Sequence, residues 1–90
     1  MREVAVAQKQ ICDERGNMRV YDYMILVGEL EVSPWFSCES YGVRIREQDG
    51  EINEVPNITV SISRIDELVA LLARNTVTPC TLQDVIADWL

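Results

Sequence analysis

The stretch SISRIDELVALLARNTVTPCTLQDVIADWL (Ser61–Leu90) decides the fold, because it reads as two amphipathic helices that need a surface to lie on. In its first half Ile65, Leu68, Val69 and Leu72 fall on one stripe, with Leu71 at the edge. Ser63 is the expected N-cap, and Asp66 and Glu67 suit the positive helix end. Arg74 suits the negative end, Asn75 is the expected left-handed stop, and Thr76 to Thr78 make the turn. The second helix has two readable starts, Thr78 with Pro79 at the first helical position or Thr81 with Asp84 as its capping partner. Both lead into one register, in which Leu82, Val85, Ile86, Trp89 and Leu90 share a side and Gln83, Asp84, Ala87 and Asp88 take the other. Helices this short do not stand alone in water, since burial of one stripe must offset the entropy of fixing the whole backbone.

The preceding residues read as the surface they require. Glu3 to Cys12 alternates loosely, with Val4 and Val6 on one face and Ala5, Ala7 and Ile11 on the other, before Asp13-Glu14-Arg15-Gly16-Asn17 marks a hairpin loop. Arg19 to Val32 carries the strongest strand signal. One face holds Val20, Met24, Leu26, Leu30 and Val32; the other holds Tyr21, Tyr23, Ile25 and Val27 before turning acidic at Glu29 and Glu31. At about 3.3 Å per residue this run exceeds roughly 40 Å, and a bend or bulge is expected at Gly28. Ser33-Pro34-Trp35 marks a turn. Phe36 to Gln48 is a third strand, with Tyr41, Val43 and Ile45 on one face and Cys38, Ser40, Gly42, Arg44 and Arg46 on the other. Asp49-Gly50 is a tight hairpin signal, and Glu51 to Ile62 is a fourth strand that Pro56 splits or places at an edge.

Four strands joined by short loops form an antiparallel meander, and two helices can cover one face of it. The expected architecture is α+β, a two-layer ββββαα sandwich in a single domain of residues 1–90, with the sheet in 1–62 and a helical hairpin in 63–90. Ninety residues allow one core and no second domain, and 48% apolar content with clear periodicity describes a folded globule.

Fifteen acids against eight scattered bases, with no histidine, argue against direct binding to nucleic acid or to an anionic membrane surface. An acidic decoy for a nucleic-acid-binding protein is compatible with that charge, as is ordinary solubility. A DNA-reading helix-turn-helix is disfavoured because the free side of the second helix would present Asp84 and Asp88 to phosphate. No run is apolar enough for a membrane span. The start Met1-Arg2-Glu3-Val4 lacks signal-peptide character, so a cytoplasmic, reduced protein is expected. Cys12, Cys38 and Cys80 are widely spaced, without a CxxC pair or a histidine, and are expected as buried or half-buried thiols rather than disulfides or metal ligands.

No cofactor motif is present: no glycine-rich loop follows a strand and opens a helix. A catalytic site is not expected. An alternative ligand-binding or enzymatic pocket between sheet and helices would draw on Cys38, Glu39, Tyr41 and Arg44, which alternation sends to opposite faces. Glu29 and Glu31 share a face and read as a solvated strand edge that discourages aggregation. The leading expectation is a non-enzymatic protein-interaction module or small homodimer. Its interface would be Tyr21, Tyr23, Ile25 and Val27, taken as the face opposite the helices, because an uncovered aromatic face marks an interface. Trp35 and Phe36 either extend that surface or close the end of the sheet over the helices.

Three segments carry a resemblance: Tyr21-Asp22-Tyr23, Cys38-Glu39-Ser40-Tyr41-Gly42-Val43-Arg44-Ile45, and Leu71 to Pro79 running into Leu82 to Leu90. In these the chain resembles a family of short uncharacterised proteins from anaerobic Firmicutes. The resemblance implies a bacterial cytoplasmic protein and supplies no catalytic residues.

Overall fold

A computed structural model describes residues 2–90. Four strands, β1 (Arg2–Cys12), β2 (Met18–Ser33), β3 (Phe36–Glu47) and β4 (Ile52–Thr59), form one antiparallel sheet in the order β1-β2-β3-β4. Helices α1 (Ile62–Arg74) and α2 (Leu82–Trp89) follow, with a 3₁₀ turn over Pro79–Thr81 between them. The meander with two C-terminal helices is as the sequence predicts.

The loops are built by their own side chains. Asp13 Oδ1 accepts from the backbone N–H of Arg15 (2.9 Å) and of Asn17 (2.8 Å), and Gly16 takes the left-handed φ of 81° that this turn needs. In the β3–β4 hairpin the left-handed residue is Asp49, with φ 61°. Gly28 does not bulge: it pairs in register with Ser40. The register shifts instead between Ala5 and Ala7, between Glu31 and Ser33, and between Tyr41 and Val43. The last of these lies beside Pro56 and Asn57 (φ 55°) on the edge strand β4, where a proline withholds no needed donor.

Both helix ends are shifted from the expected residues. The N-cap of α1 is Ser61, not Ser63: its backbone is extended and its hydroxyl accepts from Arg64 N–H at 3.3 Å. At the other end Asn75 keeps a negative φ, and Thr76 takes the left-handed position with φ 48°. Thr76 N–H then donates to Ala73 O (3.1 Å) and Val77 N–H to Leu72 O (3.0 Å), the paired bonds of a Schellman ending. Neither Thr78 nor Thr81 caps through its side chain; the 3₁₀ turn begins after Thr78 and α2 after Thr81, so each expected start is a real boundary.

The largest correction concerns which face the helices cover. Tyr21, Tyr23, Ile25 and Val27 are buried beneath them, in one cluster with Val43 and Ile45 of β3, Ile65, Leu68, Val69 and Leu72 of α1, Val77, and Leu82 and Ile86 of α2. The tyrosine face is therefore the core and not an exposed interface. The reason lies in β3. Its register sets Ile45 against Tyr23, Val43 against Ile25 and Tyr41 against Val27. Only on that side are both central strands apolar, so only there does a helix stripe find a continuous apolar surface. Tyr23 is fully buried, and its hydroxyl donates to Val77 O at 2.9 Å, tying the middle of the sheet to the turn between the helices. Asn53 Nδ2 donates to Pro79 O at 2.9 Å and ties β4 to the same turn. Leu90, expected on the packed stripe of α2, is exposed, whereas Trp89 is half-buried with the Arg64 guanidinium 4.5 Å from its ring centre.

The open face closes itself with charged side chains. Met24 and Leu26 are buried there, opposite Arg44 and Gly42 of β3. The terminal nitrogens of the Arg44 guanidinium pair with Glu3 of β1 and, at 3.0 Å, with Glu54 of β4, while its Nε is buried without a partner among the described residues. Asp22 accepts from Gln8 Nε2 (2.9 Å) and Arg46 Nη2 (3.1 Å), which hold its carboxyl below the usual range, the Gln8 bond most of all.

Candidate interaction surface

Strand β2 is longer than its neighbours. Its pairing with β1 runs from Met18 opposite Cys12 to Val27 opposite Arg2, and β4 pairs with β3 only as far as Tyr41 opposite Thr59. Beyond the half-buried Gly28 and the buried Ser40 the hairpin from Glu29 to Glu39 therefore continues as a two-stranded ribbon, with neither a third strand nor a helix covering it among the described residues. The molecule measures 55 × 24 × 18 Å, the long axis reflecting the length of these two strands.

The ribbon is amphipathic. Leu30, Val32 and Phe36 are exposed, and Cys38 is half-buried opposite Leu30. Glu29, Glu31, Ser37 and Glu39 alternate with these apolar residues and continue the helix-bearing side, beyond the point where burial ends at Val27. Ser37 Oγ donates to Glu29 Oε1 at 3.0 Å, Tyr41 Oη donates to Glu39 Oε2 at 3.3 Å, and Arg2 Nη2 lies 3.7 Å from Glu39 Oε1. Residues 28–40 hold three glutamates and no lysine or arginine. At the tip Trp35 is 91% exposed and Phe36 is 59% exposed. Trp35 thus neither extends the tyrosine face nor closes the sheet over the helices. A shallow hollow of about 380 Å³ lies between Glu29, Glu31, Trp35 and Phe36, and a second of about 240 Å³ lies between Arg2, Gly28, Glu29 and Glu39.

The other candidate constellation does not assemble. Glu39 and Tyr41 meet on the helix side, while Cys38 and Arg44 lie on the opposite face, Arg44 being engaged by Glu3 and Glu54. Cys12 and Cys80 are exposed rather than buried, the first at the end of an edge strand and the second in the 3₁₀ turn, and all three thiols are free. Among the described residues no three metal-ligating side chains converge, and no helix is long and apolar enough to cross a membrane.

A family model described as a family of unknown function, DUF6514, matches residues 2–90. The chain belongs to the DUF6514 family. The family match spans the sheet, the ribbon and both helices, so all the elements described here fall within the region DUF6514 defines. No curated protein and no solved structure matches the chain.

The ribbon was partly visible in the sequence. Arg19 to Val32 is longer than a helix of 13 residues can cover, so part of that strand, with Trp35 and Phe36 at the turn that follows it, has to run past the helices. That mismatch in length is the signal that points away from the tyrosines and toward the far end of β2.

Proposed function

We propose that this chain is a non-enzymatic protein-interaction module of the bacterial cytoplasm that presents the Glu29–Glu39 ribbon to a protein partner. One observation carries the reading: Trp35, at 91% exposure, stands at the tip of a ribbon that the strands and helices of the described residues leave uncovered. An isolated two-stranded ribbon is marginal in water, and large exposed aromatic side chains are typical anchors of protein interfaces. The partner that suits it has an apolar cleft rimmed by lysine or arginine, because the ribbon's only charges are carboxylates.

The test uses the native chain and the double variant Trp35→Ser/Phe36→Ser as baits in the same cell extract, after circular dichroism has shown equal helix content. A protein retained by the native chain and lost from the variant is the expected result. Equal retention of every captured protein by both baits, or no capture by either, overturns the proposal.

A further inference from the structure

We infer that the free edge of β2 between Glu29 and Val32 takes up an extended segment of the partner in which basic and apolar residues alternate, added as a new strand in line with β1. This rests on reading the ribbon as the interaction surface and names how the partner is held. Over Glu29–Val32 one edge of β2 is bonded to β3, while the edge that β1 occupies up to Val27 has no strand beside it among the described residues. Its backbone N–H and C=O groups are thus a template for strand addition.

Side-chain alternation decides what can add. Glu29 and Glu31 point to one side and Leu30 to the other, and the register shift that follows Glu31 breaks the regular alternation at Val32. A second copy of the same edge fits poorly. An antiparallel pair centred on Leu30 sets Glu29 against Glu31 of the second copy, and one centred on Glu31 sets that residue against itself. Midway between them, each glutamate faces an apolar residue. Like charges directly opposite are destabilising, whereas opposite charges and apolar pairs stabilise the pairing. A strand with lysine or arginine at every second position and valine, isoleucine or leucine between satisfies both faces at once.

The chain already contains one such contact. Arg2, at the start of β1 and opposite Val27, sends its guanidinium across β2 to Glu39 on β3. A strand continuing the line of β1 would place its basic side chains over the two hollows beside Glu29 and Glu31, the farther one walled by Trp35 and Phe36, where a cation can also lie against an aromatic face.

The experiment measures binding of ten-residue peptides to the full chain at moderate salt: lysine and valine alternating, the same residues in two blocks, and glutamate and valine alternating. The alternating lysine–valine peptide is expected to bind at least tenfold tighter than the block peptide and to slow amide exchange at Glu29–Val32. In the variant Glu29→Lys/Glu31→Lys the preference is expected to pass to the glutamate–valine peptide. Equal affinity for alternating and block peptides, protection elsewhere in the chain, or no transfer of preference overturns strand addition. Should the extract still yield a partner that depends on Trp35 and Phe36, strand addition alone has failed. If capture is indifferent to those residues, it is the interaction reading that has failed.

Discussion

At the scale of single residues, Tyr23 joins the two layers. Its hydroxyl is the donor to a buried carbonyl, Val77 O, at the turn between the helices. Tyr23→Phe removes the donor and leaves that carbonyl unsatisfied, which should cost about 1–3 kcal/mol, read as a lower denaturant midpoint at unchanged slope. Burial, with Tyr21 adding to it, pushes the Tyr23 phenol from 10.0 up to about 12. Because the folded value lies above the unfolded one, the neutral phenol's contribution is complete below about pH 10 and is lost as pH rises through about 12. The stability difference between the native chain and Tyr23→Phe should therefore shrink over that window; a constant difference would mean the phenol is not held neutral. Tyr23→Lys should abolish the helical signal rather than spare it, since a lysine there enters the core. Thr76 offers a gain instead. A β-branched residue at φ 48° is strained in a position glycine fills freely, so Thr76→Gly should raise stability by about 0.5–1 kcal/mol after glycine's own entropy is counted, seen as a higher melting temperature.

At the scale of elements, strand β2 divides in two. From Tyr23 to Val27 it is buried between neighbours on both edges, and from Glu29 onward it has one neighbouring strand among the described residues. Amide exchange should follow that division, with Tyr23 to Val27 protected to near the global stability and Glu29 to Cys38 exchanging orders of magnitude faster. Trp35→Ser should change stability by less than about 0.5 kcal/mol, because the side chain touches little of the fold. The antiparallel sheet, the helix stripes and the hairpin loops were legible in the sequence because each depends on neighbours close along the chain. The covered face was not legible from β2 alone, whose first half is apolar on both sides: Met24 and Leu26 are as buried as Tyr21 and Ile25. The deciding residues are Val43 and Ile45 against Arg44 and Arg46, and they act only through the β2–β3 register. The exact caps escaped for a similar reason. Ser61 and Ser63 are equally good cap residues, and the choice was made by where β4 releases the chain.

At the scale of the whole molecule, the same glutamates that suit a basic strand keep one molecule from another. The chain carries a formal charge of −7, and its exposed ribbon concentrates carboxylates next to apolar residues, a combination that guards an open edge against self-pairing. Light scattering across a hundredfold concentration range at moderate salt should thus report a monomer of 10.3 kDa. Neutralising the guard should change this: Glu29→Gln/Glu31→Gln keeps the shape and the exposed Leu30, Val32 and Trp35 but removes the repulsion, and should shift the average mass upward as concentration rises. Raising salt should move the native chain in the same direction by screening the same charges, with little further effect on the variant. A native chain that is already dimeric at the lowest concentration and low salt would mean that the ribbon's apolar side outweighs its charges and that the occupant of the open edge is a second copy.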